Sequence, residues 1–133
     1  RLDQDQPGAQ NNLAWLLADN DQASPADLDR ALQLAQDAKN AMPNDPSVAD
    51  TLGWVMYKKG ISSAAIALFR ESIDGYPEGH PLRGTVRYHL ASAYEKNGER
   101  DRAVQELKRA LDESSTFAER EAAEKLLKEL QAG

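Results

Sequence analysis

The chain has 133 residues, 29% of them charged, and a formal net charge of -6. That length suits one domain or a few short repeats, and an acidic balance without any block of Lys or Arg argues against a nucleic-acid or anionic-membrane surface. Cysteine is absent, which excludes disulfide and thiolate chemistry, and no apolar run approaches the ~20 residues that span a bilayer.

Ala, Leu, Glu, Gln, Lys and Arg dominate, β-branched residues are sparse, and apolar side chains recur at spacings of three and four between Gly and Pro breaks. Helices are expected at 8–19, 25–41, 46–59, 62–74, 82–97, 99–113 and 116–131. Ser24-Pro25 reads as a cap followed by proline at the first helical position, with Asp27 in the first turn near the positive helix end. Asp45-Pro46 uses the same device. Gly60 and Gly98 are placed to close helices in a left-handed conformation. Thr116 with Glu119 three residues later reads as a capping box for the last helix.

Superimposing the helices exposes a repeat. Leu52-Gly53, Gly60, Ala65, Phe69 and Pro77 align with Leu90-Ala91, Gly98, Ala103, Leu107 and Ser115 at a constant separation of 38 residues. Backwards, Ala65 and Pro77 align with Ala31 and Pro43 at 34, and Gly53 with Ala14 at 39. The unequal gaps place insertions in the loops, five residues in the Asn20–Pro25 turn and four after Pro77. The small residues at 14, 53 and 91 let the second helix of each pair approach the first, and Ala31, Ala65 and Ala103 do so from the other side.

A helix–turn–helix period of this length resembles the tetratricopeptide repeat, whose pattern is W-x2-L-G-x2-Y, A-x3-F, P. The middle repeat reads Ala49-x2-Leu52-Gly53-x2-Met56, Ala65-x3-Phe69, Pro77. The others give Arg87-x2-Leu90-Ala91-x2-Tyr94 and Gln10-x2-Leu13-Ala14-x2-Leu17. The leading Trp is missing in all three. The resemblance implies an all-α, right-handed superhelical solenoid of about three helix pairs plus a C-terminal capping helix. Its expected divisions are 7–45, 46–79 and 80–115 for the repeats and 116–133 for the cap, whose Phe117, Ala122, Leu126, Leu127 and Leu130 lie among Glu and Lys. Residues 1–6 read as the end of a preceding repeat or a linker; the resemblance to a repeat junction implies a longer array with this chain at its C-terminal end.

A narrower likeness lies in Asn11–Ala18, Asp50–Tyr57, Arg87–Ala91 and Phe117–Leu127. These runs resemble the C-terminal repeats of bacterial lipoproteins that accompany exosortase/PEP-CTERM protein-sorting and exopolysaccharide systems. That likeness implies a periplasmic or outer-membrane-anchored parent; without it the compartment is undetermined, with the cytoplasm the default.

Signs of chemistry are few. No phosphate-binding glycine loop and no G-x-S-x-G are present. His80 sits in a turn before Pro81 and is expected to be solvated; His89 has no second His or Cys at ligand spacing. Asp19, Asp21, Asp27 and Asp29 lack the turn glycine and terminal Glu of a calcium loop and read as a solvated insertion. No catalytic residue, metal or cofactor is expected, and the chain reads as a binder, not an enzyme.

In such arrays the first helix of each pair lines the concave face. The side chains not used by the packing ridge are Asn11, Asn12, Trp15 and Asp19 in the first repeat, Asp50, Thr51, Trp54, Tyr57 and Lys58 in the second, and Tyr88, His89, Ser92, Glu95 and Lys96 in the third. Trp15 and Trp54 occupy equivalent places one residue after the small packing position. They are expected to stack in a groove that takes a peptide or helix of a protein partner; packing against the neighbouring repeat is the competing role for both rings. The Lys/Asn clamp of chaperone-tail readers is half replaced, since Asn11 is followed by Trp15. An architectural or self-associating module, with a possible homo-oligomer, is the alternative. No nucleic acid and no direct membrane insertion by this stretch are expected.

Overall fold

The computed structural model describes residues 6–114 and 116–133. Seven helices lie among them: α1 (Pro7–Asp19), α2 (Pro25–Ala41), α3 (Pro46–Lys58), α4 (Ser62–Gly75), α5 (Pro81–Lys96), α6 (Arg100–Glu113) and α7 (Arg120–Ala132). The helices pair in sequence as α1/α2, α3/α4 and α5/α6, so the fold is all-α and built of helical-repeat hairpins. Two compact units result, one through Gly75 and one from Tyr76 onwards. The junction expected at the start of the chain falls largely on residues 1–5, outside the described residues, as does Ser115.

Capping chemistry sets the starts. Ser24 Oγ accepts from the Asp27 N–H at 3.1 Å while the Asp27 carboxylate accepts from the Ser24 N–H at 3.0 Å, a complete reciprocal cap. Asp45 accepts from the N–H groups of Ser47 and Val48. Gly60 and Gly98 adopt φ of +85° and +80° just past α3 and α5, where an L side chain is strained.

In the first unit α2 packs on both α1 and α3, α1 runs beside α3, and α4 packs on α3. The core joins Ala14, Ala18, Ala31, Ala35, Leu52 and Val55, with Leu17, Leu28, Leu32 and Leu68 packed around it. Gly53 shows why the register demands small residues. A Cβ placed there would stand 2.7 Å from the Phe69 ring and 3.3 Å from Leu68 Cβ, so the fully buried Phe69 occupies the space a side chain would need. Ser72 ties the far end of this hairpin by donating to the Pro46 carbonyl at 2.7 Å.

In the second unit Ala91, Ala103, Leu107 and Ala110 are fully buried between α5 and α6. Arg87 adds a polar clasp. Its guanidinium donates to Glu106 at 2.8 Å and to Glu113 at 2.7 and 3.0 Å; Arg83 also reaches Glu113, and Arg109 reaches Glu106. Burial opposes ionisation of Glu113, but hydrogen bonds from Arg87 and Arg83 outweigh it and hold the carboxyl below its ordinary range. Burial likewise works against charge on Arg87, and its bonds to Glu113 and Glu106 overcome this and raise its pKa.

The last helix corrects an expectation. Thr116 does not cap it: α7 begins at Arg120, and no side chain caps its first turn. Glu119 instead accepts from Thr85 Oγ1 at 2.8 Å. Phe117, 8% exposed, fills a notch on α5, where a Cβ on Gly84 would stand 2.7 Å from its ring. With Phe117 seated there, residues 118–119 form a turn and the helix starts at Arg120. His80, half-buried before Pro81, is the N-cap of α5, with Nδ1 accepting from the Leu82 N–H at 3.1 Å and its ring stacked on Tyr76 at 4.6 Å.

Candidate functional site

The α1/α3 seam of the first unit carries the most distinctive side chains. Because Trp15 and Trp54 each follow a small packing residue, Ala14 and Gly53, they emerge at the same angle from two adjacent helices. Their rings stack with centroids 5.6 Å apart and planes 25° from parallel. Tyr57, one turn beyond Trp54 on α3, continues the stack at 5.0 Å and 21°. The three rings form a ladder along the seam, each half-buried.

Polar groups fix the ladder's orientation. Trp54 Nε1 donates to Asp19 Oδ1 at 3.1 Å, which ties the end of α1 to α3. Lys58 Nζ stands 5.4 Å from the centroid of the Trp54 ring, in cation–π range. Asp50, half-buried, stands one turn before Trp54 on the same helix. Asn12 is exposed.

Asn11 is turned into the seam. It is 8% exposed, its Nδ2 donates to Ser47 Oγ at 3.2 Å, and its Oδ1 is buried without a donor from the described residues. An orphaned buried acceptor costs about 1–3 kcal/mol.

The expected third-repeat residues stand on α5 in the second unit. Tyr88 is half-buried, and burial raises its hydroxyl pKa. His89 and Ser92 are buried, at 3% and 8% exposure; Ser92 Oγ donates to the Tyr88 carbonyl at 3.0 Å, closing a turn of its own helix. The structure thus brings Asn11, Trp15, Asp50, Trp54 and Tyr57 to one seam. Asp19 and Lys58 belong to the expected face: Lys58 reaches the Trp54 ring from one turn further along α3, whereas the Asp19 bond depends on side-chain reach from α1 to α3.

Three of the four acids around the Asn20 insertion are engaged elsewhere. Asp27 serves the cap of α2, Asp19 takes Trp54, and Asp29 accepts from Lys59 at 2.5 Å. Among the described residues no group of three or more His, Asp or Glu could hold a metal ion. No helix among them is long and apolar enough to cross a membrane.

No protein-family model matches the chain. The chain is similar to the photosystem I assembly protein Ycf3 of Parasynechococcus marenigrum, at 34% identity over 68 residues, covering 47% of this chain and 39% of that protein. The match therefore spans well under half of that relative's length. Ycf3 is a tetratricopeptide-repeat protein, and the helical hairpins found here agree with that likeness.

Proposed function

We propose that the chain is a protein-interaction scaffold that holds a peptide or helix of a protein partner against Trp15, Trp54 and Tyr57, with Asn12 and Asp50 at its edges. The observation that carries this reading is the ladder itself. Three aromatic rings are stacked and pinned, yet remain half-buried at the surface, while small aliphatic residues carry the hairpin packing. Such rings offer large contact area with polar tips and lose little conformational freedom on binding, as hot-spot residues do. The similarity to a named assembly protein supports an interaction role. Tyr88, with His89 and Ser92 beneath it, is the second unit's counterpart in this proposal. A setting in envelope protein sorting or exopolysaccharide export rests on the resemblance of four sequence runs alone.

The test is a displayed peptide library selected on the folded chain and then on Trp15→Ala and Trp54→Ala. Selected peptides are expected to lose at least tenfold in affinity on either variant, equivalent to about 1.4 kcal/mol, while far-UV circular dichroism stays unchanged. Undiminished binding to both variants rejects the ladder as the site.

A further inference from the structure

Charge is unevenly shared between the two units. Residues 1–75 hold eleven Asp and Glu against six Lys and Arg, a net of -5, while residues 76–133 hold eleven against ten. In so acidic a unit a lysine has carboxylates to choose from, and two of its three lysines take one. Lys39 pairs with Glu71 at 2.7 Å and Lys59 with Asp29 at 2.5 Å. Lys58 does not. Among the described residues it forms no ion pair; it is half-buried, and its Nζ stands 5.4 Å from the centroid of the Trp54 ring. The aromatic ladder therefore has a cation seat, and the chain's own lysine fills it.

Asp50, Trp54 and Lys58 follow one another at spacings of four, so they share one face of α3. Asp19 adds a second carboxylate at the indole edge, where it accepts the Trp54 N–H at 3.1 Å. The α1/α2 hairpin packs against α3, and with that hairpin in place Asp50, Trp54, Tyr57 and Lys58 remain half-buried. Rings flanked by carboxylates suit a cation from outside, and the acidic unit draws one in. Arginine fits better than lysine. Its planar guanidinium stacks on rings, meets a carboxylate through two parallel bonds and sheds water readily, whereas the Lys58 ammonium regains strong hydration when it swings out.

We propose that the partner reaches the ladder with an arginine side chain, which takes the seat over Trp54 and displaces Lys58. Lys58 is then an internal competitor that keeps weaker cations out. This rests on the ladder being the partner site and adds the chemistry of what it takes.

A displayed library of random peptides, selected on the folded chain, tests the proposal. The enriched peptides are expected to share an arginine. Replacing it by citrulline in the free synthetic peptide keeps the shape, removes the charge and is expected to weaken binding at least about fivefold. Lys58→Met keeps the aliphatic stem but vacates the seat, and is expected to tighten the same peptides about two- to fivefold with helical content unchanged. Lys59→Met removes the same charge from the next residue and is expected to change affinity less than about twofold. Enriched peptides without arginine, binding that survives citrulline, or a gain on Lys58→Met no larger than on Lys59→Met overturns the proposal. If such peptides still lose affinity on Trp54→Ala, the ladder stands as the site for a partner of other chemistry. Peptides that ignore both Trp15→Ala and Trp54→Ala overturn the ladder and this proposal together.

Discussion

The two units each seat a phenylalanine over a glycine, but in different ways. In the first, Phe69 on α4 lies across Gly53 on α3, within one hairpin, and is fully buried. In the second, Phe117 precedes α7 and covers Gly84 on α5, which docks a cap onto a hairpin and leaves the ring 8% exposed. One socket sets how closely a helix pair packs, and the other decides where the final helix begins. The close approach is the same, while the cost of disturbing it depends on how many other contacts the element has. α4 shares an extensive contact with α3, but α7 meets α6 less extensively and α5 only slightly.

The largest expected effect comes from emptying the sockets. Phe69→Ala is expected to cost about 3–5 kcal/mol in denaturant unfolding of the first unit. Phe117→Ala is expected instead to release α7 locally, seen as faster amide exchange in 120–132 with protection of α5 and α6 kept. Equal global losses for both would erase the distinction.

Breaking the clasp ranks next. Arg87→Met keeps the aliphatic stem but leaves the 6%-exposed Glu106 with Arg109 as its remaining partner. A loss of about 2–3 kcal/mol is expected, below the ~3–5 typical of stripping a buried charge completely. The clasp also gives the second unit an acid response. Because Glu113 titrates below its ordinary range when folded, its contribution is complete above that ordinary value and is lost as pH falls through the folded value. Arg87→Met should flatten that acid limb of the stability curve, and an unchanged limb would remove Glu113 as its source.

Filling the sockets is the gentlest perturbation. Alanine normally stabilises a helix over glycine by about 1 kcal/mol, but a Cβ at position 53 meets the immobile Phe69 ring. Gly53→Ala is expected to destabilise by about 1–2 kcal/mol. Gly84→Ala is expected to cost less than about 1 kcal/mol, because Phe117 lies in a turn that can shift. Thermal unfolding of the pair of variants checks the order.

The first socket could be read in the sequence and the second could not, for a physical reason. Gly53 and Phe69 belong to a register that repeats through the chain, so their proximity follows from helix periodicity. Phe117 lies between helices, where no period fixes its direction, and the Thr116–Glu119 spacing suggested a cap. Glu119 had a better partner in Thr85, a tertiary contact that local pattern does not encode. The ladder was partly legible in the same way. Trp15 and Trp54 stack because they hold equivalent places on neighbouring first helices, whereas the Trp54–Asp19 bond and the inward turn of Asn11 towards Ser47 depend on side-chain reach across the seam. The cap that His80 makes on α5 could not be read, because it depends on which way the Nδ1 of the ring turns.

The most direct test of the account is acrylamide quenching of tryptophan fluorescence in two single-tryptophan variants, Trp15→Phe and Trp54→Phe, before and after addition of a selected peptide. A half-buried, surface-facing ladder predicts ready quenching of both remaining tryptophans in the free protein and marked protection in the complex. Blue-shifted emission that resists quenching in the free protein, unchanged by peptide, would make the rings core packing and contradict the account.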